Sequence, residues 1–216
     1  MKVLHYTYSC LPISETFVRD LYLSISNKSD IETKICTHKL IKNKLTETLE
    51  VENFAFQHLP SLIKKVVNLK NLVLGKQANI NYKKGQKEIK KFNPDVVHCH
   101  FAVAAWYYYH LTEGLKYDYP LLISCHGYDV FNLSDKNSGY YKVIKKISAK
   151  NTIFTCPSHF LKDQLVKKLD IDHSMVKVVP NGFNTDIFTT SNFSPPNGNV
   201  FRIAHCGRFI DLKGQF

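Results

Sequence analysis

The sequence predicts an α/β domain in which helices cover both faces of a parallel β-sheet. Short apolar runs recur along the chain, and segments with helical periodicity separate them. The apolar residues at the centres of 120–127 and 151–158 are continuous and do not alternate with polar ones. Continuous apolar strands between helices are typical of a parallel sheet that is buried on both faces.

In the first half of the chain, strands are predicted at 2–8, 31–37 and 95–100. A helix is predicted to begin near Ser14. A second helix follows the strand at 95–100 and is closed by Gly114, because glycine readily adopts the backbone conformation that ends a helix.

In the second half, strands are predicted at 120–127, 151–158 and 175–182. A helix is predicted around "YYKVIKKIS", and another begins after Ser158. The Ser158 hydroxyl can accept a hydrogen bond from a free N–H of the first helical turn.

The stretch 189–199, "TTSNFSPPNGN", has the composition of a linker. It predicts a division of the chain into a domain of residues 1–188 and a following segment, 200–216. The apolar run 200–207 in that segment predicts the first strand of a second α/β domain.

The composition, with 44% hydrophobic residues, indicates a globular protein and not a disordered one. No apolar stretch reaches the roughly 18–20 residues of a bilayer-spanning helix, and the N-terminus lacks the apolar core of a secretion signal. The six cysteines are scattered singly, so we expect no structural disulfides. The predicted location is the cytoplasm.

The net charge of +11 arises from 26 lysines and only three arginines among 29 basic residues. Nine of these lysines lie within 61–91, where Leu62, Val66 and Leu69 would share one side of a helix. Such a helix packs on the sheet or lies on an anionic membrane surface, here the inner face of the cytoplasmic membrane, and both can hold if its lysine rim faces lipid. Nucleic acid is not an expected partner, because the lysines lack interleaved aromatic residues.

Polar residues gather where the predicted strands end, which is the edge at which open α/β sheets bind ligands. In chain order they include Ser14, Glu15, Thr16, His98, His100, His126, Gly127, Asp129 and Asn181. Their convergence on one edge predicts a ligand-binding crevice.

His98 and His100 are two residues apart, so their side chains share one face of a strand. Each is either a functional group of the crevice or a strand-end residue with hydrogen-bond partners. A metal triad with His126 lacks the additional ligands and supporting partners that zinc sites require, so we expect no metal. His126 is predicted to be a functional residue, since Gly127 permits a sharp turn and Asp129 could orient the imidazole ring.

Missing motifs exclude several enzyme classes. The absence of GxSxG argues against an acyl-transfer hydrolase, and the absence of GxGxxG and GxxxxGK[ST] against dinucleotide oxidoreductases and P-loop enzymes. Cys99 and Cys125 lie within predicted strands, where a buried thiol is inert.

Two basic residues stand out in the segment 200–216. Arg208 follows a predicted strand, and Lys213 lies where a helix should begin. A guanidinium group can hold two phosphate oxygens, and backbone N–H groups at a helix start add donors. We therefore predict that Arg208 and Lys213 bind a diphosphate; the alternative is that both are plain surface charges.

Together these motifs resemble those of family 4 glycosyltransferases, retaining enzymes with the GT-B fold, of the bacterial capsule, exopolysaccharide or lipopolysaccharide type. The shared motifs, in the order of the family, are "PISETFV", "DVVHCHF", "SCHGYDVF", "VVPNGFNTDIF" and "HCGRFIDLKG". They extend over nearly the whole chain.

The resemblance implies two facing Rossmann-like domains, with residues 1–188 forming the N-terminal, acceptor-side domain. It implies transfer of a sugar, with retention, from a nucleotide-sugar donor to a polysaccharide or a lipid-linked glycan. It also implies that His126 contacts the donor sugar and that Arg208 and Lys213 neutralise the leaving diphosphate without a metal or cofactor. The acceptor side would include Ser14, Glu15, Thr16, His98 and His100.

Two departures from the family pattern affect these expectations. The first loop lacks a glycine-rich turn, and the chain ends before the acidic E-x7-E segment with which the family holds its donor. We therefore expect a truncated donor domain and no activity from the 216 residues alone. The alternative function is a non-catalytic module that binds a glycan or a polyanion.

Overall fold

Among the residues that the structure describes, the apolar runs pair in parallel and form a seven-stranded sheet with the order β3-β2-β1-β4-β5-β6-β7. The computed structural model describes residues 1–10, 15–41, 49–55, 61–73, 80–113, 115, 118–183, 185–186, 203, 205, 207 and 214. The strands are β1 (Lys2–Cys10), β2 (Glu32–Leu40), β3 (Val51–Asn53), β4 (Val96–His100), β5 (Leu121–Ser124), β6 (Thr152–Cys156) and β7 (Val176–Val178).

Helices connect the strands and cover both faces of the sheet. They are α1 (Thr16–Ser26), α2 (Ser61–Val73), α3 (Tyr82–Phe92), α4 (Ala102–Thr112), α5 (Tyr128–Phe131), α6 (Gly139–Ser148) and α7 (His159–Leu169). Because every strand is parallel to its neighbours, the carboxyl ends of all seven strands lie at one edge.

Side-chain caps fix the starts of several helices. The Ser158 hydroxyl accepts a hydrogen bond from the Leu161 N–H at 3.2 Å, which confirms the predicted cap of α7. Ser138 caps α6 in the same way, and the Asn81 side chain accepts from the Lys84 N–H at the start of α3. Each cap satisfies a backbone donor that has no partner within the helix.

Two hydrophobic clusters hold the layers together. The larger cluster packs α3, α4, α6 and α7 on apolar residues of the sheet, such as Leu4, Cys99 and Phe154. The smaller cluster places α1 over the opposite face, where Val18 and Tyr22 meet Cys10 and Ile35.

The cysteines of the described residues are buried and free, which confirms the expected lack of disulfides for those five: Cys10, Cys36, Cys99, Cys125 and Cys156.

The predicted strands are confirmed, with ends that shift by a few residues, except for the run at 200–207, which is largely outside the described residues. Ser14 and Gly114 also lie outside them. The short strand β3 was not predicted, because three residues are too few to show a strand pattern.

The chain divides into two compact units, Met1–Gly182 and Phe183–Phe216. The first unit contains the whole sheet and all seven helices named above. The predicted boundary at 188 and the linker 189–199 fall on residues that the structure does not describe, so both stay predictions.

The segment 61–91 contains two helices, α2 and α3, and α2 presents its apolar side outward. Leu62, Val66 and Leu69 are 74%, 63% and 62% exposed. By contrast, Lys64 and Val67 are only partly exposed. The alternative in which the apolar side of this helix packs on the sheet is therefore wrong for these residues. Within the described ranges, no helix has the length and hydropathy needed to span a bilayer.

Gly85 in α3 gives a test of the packing between α3 and α4. A Cβ atom at this position would lie 2.8 Å from Leu111 Cδ1 and 3.2 Å from Phe54 Cδ2. Overpacking by the added methyl group costs about 2 kcal/mol, and the better helix propensity of alanine recovers roughly 1 kcal/mol of this. We therefore expect Gly85→Ala to lower the free energy of unfolding by about 1 kcal/mol. Urea denaturation measures this change.

Gly139→Ala is the matched control, because Gly139 begins α6 and a Cβ there has open space. This variant should be neutral or slightly stabilising. Equal stabilisation by both substitutions would show that α3 and α4 are not closely packed at Gly85.

Candidate active site

A pocket of about 100 Å³ lies at the carboxyl edge of the sheet. It opens between the ends of β4, β5 and β6 and the segment after β7. We call it the edge pocket, and its lining residues are Phe17, Leu21, His100, Ser124, Cys125, His126, Thr155, Cys156, Pro157, Val179, Pro180, Asn181 and Gly182. Of the predicted site residues, His100, His126 and Asn181 therefore come together here.

Asp129 holds the turn that carries His126. Its Oδ1 accepts hydrogen bonds from the N–H groups of His126 and Gly127 at 3.1 and 3.0 Å, and its Oδ2 accepts from the Ala102 N–H at 3.0 Å. The carboxylate is only 1% exposed, and these three donors offset the cost of burying its charge. Asp129 thereby ties the turn after β5 to the start of α4.

Gly127 adopts a φ of +126°, a conformation that residues with a Cβ rarely reach. The predicted sharp turn is thus confirmed. The expectation that Asp129 orients the imidazole ring is wrong, because neither ring nitrogen of His126 bonds to Asp129, whose oxygens bond to backbone N–H groups instead.

The imidazole of His126 packs against two phenyl rings. Its centroid lies 4.6 Å from that of Phe17 and 4.7 Å from that of Phe101. Both ring nitrogens are buried, and neither has a hydrogen-bond partner among the described residues. Burial lowers the pKa of His126, and the nearby negative charge of Asp129 only partly opposes this effect. The ring is therefore neutral near pH 7.

His98 and His100 share one face of β4, as predicted, but the third histidine beside them is His5 and not His126. One ring nitrogen from each of these three lies within 4.8 Å of the other two. His5 Nδ1 and His100 Nε2 are hydrogen-bonded at 2.9 Å, closer than the roughly 3.3 Å between two nitrogen ligands of a tetrahedral zinc. The planes of these two rings are only 13° apart. This geometry is that of two nearly coplanar imidazoles that are hydrogen-bonded edge to edge.

All three of these histidines are buried in the sheet beneath α1. Burial lowers the pKa of His5 to about 4 and that of His98 to about 3, and it holds the pKa of His100 well below its usual value. Each ring therefore stays neutral near pH 7 and serves as a hydrogen-bonding group.

The other predicted residues occupy varied positions. Glu15 precedes α1 without a side-chain cap, and burial raises its pKa to about 7. Thr16 begins α1 and is exposed. Ser14, Arg208 and Lys213 lie outside the described residues, so the diphosphate site stays a prediction.

Three polar residues of this region were not predicted: His5, Ser124 and Thr155. The Ser124 Oγ lies 2.7 Å from His98 Nε2 and 2.8 Å from Thr155 Oγ1. In the sequence, Ser124 and Thr155 are visible only as single hydroxyl residues near the ends of two apolar strands. Such isolated residues are weak evidence for a functional site.

Comparison of the sequence with models of known protein families shows which family contains this site. The family model described as Glycosyltransferase Family 4 matches residues 52–187, well over half of the chain. The chain belongs to Glycosyltransferase Family 4. The matched range contains the His126 turn, Asp129 and most of the edge pocket. No curated protein sequence matches the chain.

Solved structures of glycosyltransferases share the fold. The apo form of the lipopolysaccharide outer core galactosyltransferase WaaB is 13% identical with a TM-score of 0.60, over 93% of this chain and 50% of that one. Anabaena Alr3699/HepE in complex with UDP is 14% identical with a TM-score of 0.53, over 89% of this chain and 47% of that one. A glycosyltransferase from Rickettsia africae ESF-5 is 18% identical with a TM-score of 0.51, over 90% and 46%.

This chain of Glycosyltransferase Family 4 spans about half the length of these solved structures. At such low identities the likeness concerns the fold. It confirms the predicted Rossmann-like α/β fold.

Asp129→Asn tests how far the His126 turn depends on the buried carboxylate. The amide retains one acceptor oxygen and introduces an NH₂ group that faces backbone donors, so we expect the free energy of unfolding to fall by about 2–3 kcal/mol. Chemical denaturation measures this loss.

Asp135→Asn is the matched control. Asp135 is exposed, and its carboxylate accepts one backbone hydrogen bond, from the Asn137 N–H. This variant should change the free energy of unfolding by less than about 1 kcal/mol. Similar losses in the two variants would contradict a special role for Asp129.

Proposed function

We propose that this chain is the acceptor-side half of a glycosyltransferase that moves a sugar from a nucleotide-sugar donor to a glycan or lipid-linked acceptor with retention. The observation that carries the proposal is the family match over 52–187, which contains the His126 turn beside the edge pocket. Support also comes from the solved relative HepE, which was determined in complex with UDP and glucose.

In this proposal the edge pocket holds the acceptor and His126 contacts the donor sugar. A neutral imidazole can accept or donate a hydrogen bond at the sugar without adding charge. Both nitrogens of His126 are buried against Phe17 and Phe101 in this structure. Contact with a donor therefore requires the ring to rotate or Phe17 to shift.

Arg208 and Lys213 are proposed to stabilise the negative charge that develops on the leaving diphosphate. Fixed positive groups in that position perform the electrostatic role that a metal ion has in other transferases. In this proposal the acceptor attacks the face of the sugar from which the diphosphate leaves, while the sugar cation and the diphosphate still form an ion pair. The configuration is then retained, and no carboxylate nucleophile on the protein is needed. Asp129, whose oxygens are occupied by backbone N–H groups, acts by holding the His126 turn.

His126→Ala tests the proposed reaction in a polypeptide that joins this chain to a donor-binding domain of the family. We expect kcat/KM for sugar transfer to fall by roughly 10²–10³, the loss typical when one hydrogen-bonding group at a reacting centre is removed. Transfer from labelled nucleotide sugars to membrane glycolipids measures the rate, and added EDTA should leave it unchanged.

His110→Ala is the control, because His110 lies in α4 next to Glu113 and does not line the edge pocket. An unchanged rate in His126→Ala would remove this residue from the mechanism.

The same assay checks the prediction that the 216 residues alone give no robust transfer. Glycan binding without transfer in the joined polypeptide would favour the non-catalytic binding module.

We further propose that α2 places the protein on the inner face of the cytoplasmic membrane, where a lipid-linked acceptor would lie. The exposed side of α2 combines Leu62, Val66 and Leu69 with nearby Lys65 and Lys70. Apolar side chains that enter the headgroup region, flanked by lysines that attract anionic lipids, are typical of interfacial helices.

Replacing Lys65 and Lys70 together by Gln tests the membrane proposal. We expect binding to phosphatidylglycerol vesicles to weaken roughly thirtyfold, because each lysine near an anionic surface contributes about 1 kcal/mol. Vesicle co-sedimentation measures the binding, and phosphatidylcholine vesicles should bind both proteins weakly.

The matched control replaces Lys136 and Lys142, two exposed lysines elsewhere in the first unit, by Gln. This double variant should retain most of the binding. Equal losses in the two double variants would show that the net charge, and not α2, attracts the vesicle.

A further inference from the structure

Three neighbouring strands bring an imidazole and two hydroxyls into one hydrogen-bonded row. His98 of β4 lies 2.7 Å from the Ser124 hydroxyl of β5, which lies 2.8 Å from the Thr155 hydroxyl of β6. Ser124 and Thr155 are register partners in adjacent strands. His98 is buried, Ser124 is 8% exposed and Thr155 is half-buried at the edge pocket.

The direction of this row depends on which nitrogen of His98 carries the proton. If Nε2 is protonated, it donates to Ser124, Ser124 donates to Thr155, and the Thr155 proton is left for a ligand. If Nε2 is unprotonated, Ser124 donates to it and Thr155 donates to Ser124, so that Thr155 offers only acceptor lone pairs. A ligand hydroxyl can match either direction, because it both donates and accepts.

The described part of the lining of the edge pocket is uncharged. Among the described residues that line it, none is Lys, Arg, Asp or Glu, and the histidines are neutral near pH 7. Apolar side chains of Phe17, Leu21 and Val179 also line the pocket. Neutral hydroxyls beside apolar surface suit a sugar ring, which has polar edges and C–H faces, better than a phosphate or a carboxylate.

We propose that Thr155 binds a hydroxyl of an uncharged sugar unit of the acceptor, and that Ser124 and His98 position the Thr155 hydroxyl for this contact. This inference rests on the proposed function and names the chemical class of the acceptor group in the edge pocket. Thr155 is then a specificity-determining residue. The row from His98 to Thr155 acts through neutral hydrogen bonds and neither takes up nor releases a proton.

The test measures binding of methyl glycosides of glucose, galactose, mannose and N-acetylglucosamine to the 216-residue chain by ligand-observed NMR titration. For the glycoside that binds best, Thr155→Val should weaken binding about three- to tenfold, the effect of one lost hydrogen bond. Thr155→Ser, which retains the hydroxyl, should restore binding to within about twofold. Ser124→Ala should give an intermediate loss, because it leaves Thr155 without its partner.

Two further measurements separate recognition from a general structural effect. A deoxy analogue that lacks the recognised hydroxyl should bind the wild-type protein and Thr155→Val equally well. Thr152→Val is the matched control, since the Thr152 hydroxyl bonds to the Ile147 carbonyl at the other end of β6. This variant should bind the glycosides as the wild-type protein does, and thermal melting identifies any variant that fails to fold.

The inference is overturned if Thr155→Val binds every glycoside as tightly as the wild-type protein, if no deoxy analogue removes the difference, or if no glycoside binds at all. Inorganic phosphate that displaces the sugar would also overturn it.

Failure of the proposed function can be distinguished from failure of this inference. Binding that depends on Thr155, without transfer by the joined polypeptide, would identify a glycan-binding module in which this inference still holds.

Discussion

Strand β4 lies between β1 and β5, parallel to both, and the register of these pairings fixes the side chains of the site. His98 pairs with His5 on one side, and His100 pairs with Ser124 on the other. Paired strands are only about 4.8 Å apart, so backbone hydrogen bonds force these polar groups into contact. A shift of one residue would turn His98 and His100 towards the opposite face and disperse the whole arrangement.

Burial then decides which chemistry these groups can perform. His5, His98 and His100 lie in the sheet beneath α1, where a charged imidazole would lose its hydration, and their pKa values fall accordingly. Asp129 keeps its hydrogen bonds to three backbone N–H groups. The described residues that line the edge pocket therefore carry no charge near pH 7. A donor diphosphate would need its positive partners from other residues, which is the role proposed for Arg208 and Lys213.

Local patterns in the sequence were sufficient for most elements of the sheet and for several details. Ser158 was predicted as a helix cap, and Gly127 as the residue of a sharp turn, because both effects act over a few residues. The short strand β3 was missed since three residues carry too little pattern. The outward orientation of Leu62 and Leu69 was left open, because an amphipathic pattern does not state which side meets the protein.

The sequence by itself determined the parallel α/β architecture, the family and the convergence of His100, His126 and Asn181 on one edge. The tertiary structure alone decided that His5 joins His98 and His100, that Asp129 bonds to the backbone and not to the His126 ring, and that Ser124 and Thr155 form a row with His98. The physical reason is that these contacts depend on the register between strands distant in sequence, and no local periodicity records that register.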